Sequence, residues 1–304
     1  MIKTIKYKKI TWIDIERPDE KDIEYLRTNF NFHPIILAEL IPPSYFSKVK
    51  KYDNYIYFIF YYPFYHNIKR QTRARELDVL ITKNVLITSH YQPIVPLKAV
   101  WDACNLYKEE KEKYLTQGTG FLLYSILDKT FSECLLKLNR IEKRIGFVEN
   151  EIFAGKEKEM VKEISIVKRD IIDFYRIIEP QKSVINSLVS EGGKFWGRKF
   201  LPYFSNLASS FGVCWNRIRN FQDIIKALEE TNNSLLTNKI NEIVKILTIF
   251  SVIVFPLTLL ASIFGMNTKY LPLVGIKGDF WIVLGIMGIG TLFMLGLFKK
   301  KKWL

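Results

Sequence analysis

The sequence predicts an α+β protein in three parts: an N-terminal α/β domain over residues 1–117, a stalk of long helices over 118–245, and a transmembrane hairpin over 246–304. Three observations predict it. Two late runs, Ile246 to Phe264 and Phe280 to Phe298, carry no charged residue. From Gly120 onward apolar residues recur at three- and four-residue steps, the period of an amphipathic helix. Before that point the apolar runs are short, aromatic and β-branched, as in strands.

Taken in order, Met1 to Lys9 alternates basic and apolar residues without the apolar centre of a signal peptide. Ile10 to Ile15 reads as a strand, and Pro18 and Asp19 open a helix through Tyr25 and Leu26. Tyr55 to Tyr62 is a continuous strand-like run, and Glu76 to Thr82 and Val85 to Ser89 flank Lys83-Asn84 as a hairpin. Leu123, Leu127, Phe131, Leu135, Leu138, Ile141 and Ile145 then mark one long helix. Gly155 and Lys156 break it. A second helix, from Glu157 to Leu188 with a kink at Pro180, is expected to return antiparallel to the first. Glu191-Gly192-Gly193 punctuates the chain, and a third helix is expected from near Pro202 to Phe264.

A helix needs about 20 apolar residues to cross the roughly 30 Å hydrocarbon layer, so both charge-free runs suffice. The connection, Gly265 to Asp279, has only Lys269, Lys277 and Asp279 as charged residues, whereas Lys239 and Lys245 precede the first span and Lys299 to Lys302 follow the second. That bias places both termini in the cytoplasm. The lysine tail suits anionic lipid headgroups, and the net charge of +14 comes with no nucleic-acid reading motif, so nucleic acid is not an expected partner. Cys104, Cys134 and Cys214 are scattered, as are His33, His66 and His90, which fits a reducing compartment and offers no zinc-enzyme site.

The first span carries a second pattern. Glu230, Ser234, Thr237, Asn241, Val244, Thr248, Ser251, Phe255, Thr258, Ser262 and Gly265 follow at alternating steps of four and three, the spacing of one face in a supercoiled assembly. All the hydroxyls of the span lie on it. Polar groups in hydrocarbon need partners in protein or water, so the stripe faces either an aqueous channel or a close helix contact through small residues. Both readings require more than one copy of the chain. The spacing does not give their number.

Gly265-Met266-Asn267 at the end of the first span, preceded by Phe255-Pro256-Leu257-Thr258 and followed by Pro272, resembles the signature of the CorA family of divalent-cation channels. Trp12-Ile13-Asp14, Phe32-His33-Pro34, Lys51-Tyr52-Asp53-Asn54-Tyr55, Glu76-Leu77-Asp78 and Asn84-Val85-Leu86-Ile87-Thr88 are similar to landmarks of that family's cytosolic domain. The resemblance implies a homopentamer in the cell (inner) membrane that passes magnesium through a pore lined by the first span. It holds no cofactor: the divalent cation is cargo. Gly265, Met266 and Asn267 would form the selectivity filter, with Asn267 addressing a hydrated ion through its outer sphere. Asn241, Val244, Leu247, Thr248, Ser251, Phe255, Thr258 and Ser262 would line the pore, Val244, Leu247 and Phe255 as a dewetting constriction, and Glu230 would face the cytosolic vestibule.

Trp12 and His33 read as structural residues. Neither span contains an ionisable side chain, which disfavours proton coupling, and there is no phosphate-binding loop for ATP. Two departures from the family stand out. The loop behind the triplet reads Thr268-Lys269-Tyr270-Leu271-Pro272-Leu273, without the acids usual there, and Gly192 to Gln222 contains no Asp or Glu where a regulatory carboxylate is usual. These keep open a CorA-like zinc transporter and a non-conducting membrane-anchored scaffold as alternatives. An enzyme is not expected, because adjacent pairs such as Glu229-Glu230 and Glu109-Glu110 point apart on helices.

Overall fold

The computed structural model describes residues 2–44, 46–268, 271–301 and 303. They fall into two compact units, Met1–Glu230 and Thr231–Leu304. The helical segment that follows the strands therefore belongs, up to Glu230, to the same unit as the sheet.

The sheet has six strands in the order β1 (Ile2–Tyr7), β2 (Ile10–Glu16), β6 (Val85–His90), β5 (Gln71–Ile81), β4 (Ile56–His66) and β3 (Val49–Lys51). Only β2 and β6 pair in parallel. The expected hairpin is present: Thr82 N donates to Val85 O at 2.8 Å, and Val85 N donates to Thr82 Oγ1 at 2.8 Å. A longer one joins β4 to β5, in register from Ile56↔Ile81 to His66↔Gln71. Edge strands β1 and β3 lie outside the sequence-based expectation. Their side chains are mostly uncovered, with Ile5 the only buried residue of β1 among those described, so they lack the apolar signal of inner strands.

Alternation decides which side chains face which layer. Ile13, Ile15, Tyr57, Ile59, Leu80 and Ile87 meet Ile23 and Leu26 of α1 (Glu20–Asn29) and Ile36 and Leu37 of α2 (Pro34–Ala38). Each such side chain contributes about 1.5–3 kcal/mol by leaving water. Asp19 and Asp22 start α1 as a reciprocal capping box, and His33 Nδ1 accepts from Ile35 N at 3.2 Å to start α2. Trp12 is fully buried, edge-on to Trp101 at 4.8 Å, and donates to Thr88 Oγ1 at 3.1 Å. Both residues thus have structural roles.

The opposite face of the sheet receives the helices. After α3 (Val95–Leu106) and α4 (Lys108–Thr116), α5 (Thr119–Phe153) packs Phe131 against Phe60 at 5.9 Å. Gly155, at φ +87°, turns the chain into α6 (Glu157–Ile178). The two helices run back along one another through Asp170, which is fully buried. Arg144 Nη1 donates to Asp170 Oδ2 at 3.3 Å and Thr72 Oγ1 to Asp170 Oδ1 at 2.8 Å.

Two expectations are corrected here. Pro180 does not kink one helix but separates two, because α6 stops at Ile178 and α7 (Gln181–Phe195) restarts after the proline. Gly192 and Gly193 are not a break either; they lie within α7. Their small size serves packing: a Cβ on Gly192 would stand 2.4 Å from Phe204, and one on Gly193 2.6 Å from Leu201. The break comes later, at Gly197 with φ +97°. From Leu201 the helix α8 runs unbroken to Phe264, with Pro202 in its first turn and Pro256 inside it. In the second unit α8 is followed by a loop and α9 (Asp279–Lys300), which starts after Gly278 at φ +92°. Both α8 and α9 contain stretches long and apolar enough to cross a membrane.

Candidate functional site

The residues singled out on the first span all lie on α8 up to Ser262. At 100° per residue Asn241, Val244, Leu247, Thr248, Ser251, Phe255, Thr258 and Ser262 fall within a sector of about 120°. Glu230, one turn or more before them, is exposed, while Glu229 accepts from Lys168 Nζ of α6 at 2.5 Å.

Three hydroxyls of the span satisfy their own protons. Thr248 Oγ1 donates to Val244 O at 2.7 Å, Ser251 Oγ to Leu247 O at 2.8 Å, and Thr258 Oγ1 to Val254 O at 2.9 Å. A hydroxyl bonded to the carbonyl four residues back has no compulsion to seek another helix. The polarity of the stripe therefore does not by itself require a wet axis. What it offers is acceptor oxygens, since each hydroxyl keeps lone pairs after its proton is used. Within one chain the face is uncovered, with Val244, Leu247 and Phe255 at 52%, 61% and 74% exposure. Ile246, Phe250 and Leu259, off the stripe, are equally bare, while Ile249 is buried within the chain, so one protomer leaves most of this segment to be covered by lipid or by other chains.

The triplet ends the helix. Gly265 N donates to Ala261 O at 2.9 Å, Met266 N to Ile263 O at 3.2 Å, and Thr268 N to Met266 O at 3.0 Å. A Cβ on Gly265 would lie 3.1 Å from Ala261 O, so glycine lets the chain tighten over the last carbonyls. The C-terminal end of a helix carries partial negative charge from its unpaired carbonyls, which favours a cation there. Asn267, exposed just beyond that end, adds an amide oxygen. Lys269 and Tyr270 lie outside the described residues. Asp279, the loop's only carboxylate, is engaged at the start of α9: its oxygens accept from Gly275 N at 3.1 Å and Phe280 N at 2.7 Å.

No group of three or more His, Cys, Asp or Glu side chains among the described residues is arranged to hold a metal ion. In the acid-free start of α8, Arg217 reaches Glu142 of α5 at 2.7 Å and Asn139 at 2.8 Å, and Asn206 Nδ2 donates to Tyr124 Oη at 3.1 Å. Sequence reasoning named Glu76-Leu77-Asp78 only as a landmark of the cytosolic domain and missed that its two acids are buried together on β5. Their two-residue spacing on one strand was the available signal.

The arrangement of a sheet-bearing unit, a long helix and a second apolar helix recurs among solved structures. The family model described as CorA-like Mg2+ transporter protein matches residues 7–300. The chain belongs to this CorA-like family. Among curated relatives, the cobalt/magnesium transport protein CorA of Thermotoga maritima is 27% identical over 300 residues, covering 97% of this chain and 83% of its own length. The magnesium transport protein CorA of Campylobacter jejuni (strain RM1221) is 25% identical over 317 residues, covering 97% and 91%. The complete structure of the CorA magnesium transporter from Methanocaldococcus jannaschii superposes with a TM-score of 0.84 at 21% identity, covering 99% of this chain and 94% of that one, which establishes the shared fold. The chain is thus a CorA-family member in fold and in sequence over nearly its whole length.

Proposed function

We propose that copies of this chain, five by family resemblance, surround an axis lined by α8 and conduct a hydrated divalent cation, magnesium first, passively across the cell membrane with both termini cytoplasmic. The observation that carries the reading is the junction at Phe264–Asn267, where a helix C-terminus, its unpaired carbonyls and an amide side chain meet at the end of an uncharged span. Magnesium dehydrates reluctantly, so dipolar oxygens without a carboxylate cage suit a hydrated ion. Thr258 and Ser262 would add acceptor rings inward, and Val244, Leu247 and Phe255 a constriction that gates by dewetting.

Vesicles reconstituted with the full chain and loaded with a divalent-sensitive dye test it. Magnesium influx is expected, and Asn267→Ala is expected to abolish it or erase its preference over other divalents while the oligomer stays intact. Cobalt, which shares the name of the Thermotoga relative, and zinc belong in the same panel: flux with zinc and none with magnesium favours a zinc transporter, and no flux with any ion favours a scaffold.

A further inference from the structure

Glu76 and Asp78 stand two residues apart on β5 and so share one face of the strand. Both are buried, Asp78 completely. Their direct donors are neutral: Tyr57 Oη donates to Asp78 Oδ1 at 3.1 Å and Ser44 N to Glu76 Oε1 at 2.9 Å. The two carboxyls are neighbours on that buried face, one strand period apart. Among the described residues Asp78 Oδ2 has no donor and no water access, and the same holds for the hydroxyl of Ser89, directly opposite Asp78 in the β5–β6 register.

The surrounding charges do not neutralise the pair. Lys48, the cation whose field reaches both acids, is held by Glu39 at 3.0 Å, and Lys50 binds the same carboxylate at 2.9 Å. Arg75 is turned to the Pro93 carbonyl and the Phe64 ring. Tyr61 and Tyr91, the other titratable neighbours, hold the chain that covers the pair: Tyr61 Oη donates to Ser44 O at 2.7 Å and Tyr91 Oη to Leu40 O at 2.6 Å. Ser44 is thus gripped by both its backbone groups.

We propose that Glu76 and Asp78 hold one proton between them at neutral pH and form a pH-sensitive clasp on residues 40–44, which opens when that proton is lost. Two neighbouring buried carboxylates cannot both stay ionised, and one proton supplies the missing donor. Burial, and then each acid's negative neighbour, pushes Asp78 far above the usual carboxylate range; burial raises Glu76 as well, with the Ser44 amide favouring its charged form. Loss of the proton puts a second charge under Ser44. Water then has a route in through a cleft of about 300 Å³ lined by Ser44, Tyr61, Arg75, Glu76, Tyr91 and Gln92. The sign follows from linkage: the folded state binds more protons than the unfolded chain above the ordinary carboxylate range, so stability falls as pH rises through that window, until the native pair has titrated.

Infrared spectra of the full-length protein in detergent test the proton directly. A protonated-carboxyl carbonyl band is expected at pH 7, and it should vanish in both Asp78→Asn and Glu76→Gln, because either amide supplies a permanent donor and leaves the remaining acid ionised. Chymotrypsin cleavage at exposed Phe46, normalised to a peptide substrate, should rise several-fold from pH 7 to pH 9 in the parent chain and stay flat in the variants. If one variant fails to fold, the other carries the comparison. No such band in the parent at pH 7, a band retained in a folded variant, or cleavage rising equally with and without the pair would overturn the proposal.

Discussion

Single side chains set the sharpest expectations. Asp170 is fully buried between Arg144, Arg140 and Thr72, with burial raising its pKa and the Thr72 hydroxyl and the two guanidiniums opposing. Asp170→Ala would leave those guanidiniums uncompensated and is expected to destabilise the first unit by about 3 kcal/mol, read as a lowered thermal midpoint in detergent. Lys137 gives a pH-dependent counterpart. Its ammonium lies over the Tyr62 ring at 3.8 Å, and burial holds its pKa down to about 8. Between that value and the ordinary lysine range the unfolded chain binds more protons, so this residue makes stability rise with pH there. Lys137→Met should therefore raise the melting temperature at pH 7, with the gain shrinking as pH rises above about 8.

Elements show what packing adds to pattern. Thr258→Val and Ser251→Ala remove hydroxyls whose protons are spent within their own turn, so helix stability should change little while ion flux falls; equal loss of both would point to a structural role. Gly192→Ala drives a methyl group into Phe204 and should cost about 1–3 kcal/mol as overpacking. Gly212→Ala, in open space on α8, should instead stabilise by up to about 1 kcal/mol. Gly192 stands beside a second glycine, a pair that ordinarily marks a turn, which is why α7 reads as broken there. Inner strands β2, β4, β5 and β6, the turn at Gly155 and the apolar spans were legible, because burial on both faces, positive φ and lipid each leave a compositional mark. Edge strands β1 and β3 were not, since a mostly uncovered strand needs no apolar run. At the candidate site the stripe was read from spacing and Asn267 from the resemblance of Gly265-Met266-Asn267; the back-bonding of Thr248, Ser251 and Thr258 was not legible, because it depends on side-chain rotation and not on order along the chain.

For the whole molecule, the bare apolar surface of residues 240–264 and of α9 means that a single chain in water is not a stable end state. Native mass spectrometry of the detergent-solubilised protein is expected to show one discrete oligomer. Cysteine introduced at Ser262 should then crosslink between copies, whereas at Ile246, off the stripe, it should not.

The close approach of Gly192 to Phe204 and of Gly193 to Leu201 bears on chimaeras between this protein and its relatives. A graft that imports a foreign α8 from its first turn would bring new side chains against two positions that have no room to adjust. Such a swap should succeed only when the α7 glycines and the two residues they accommodate are transplanted as one cassette.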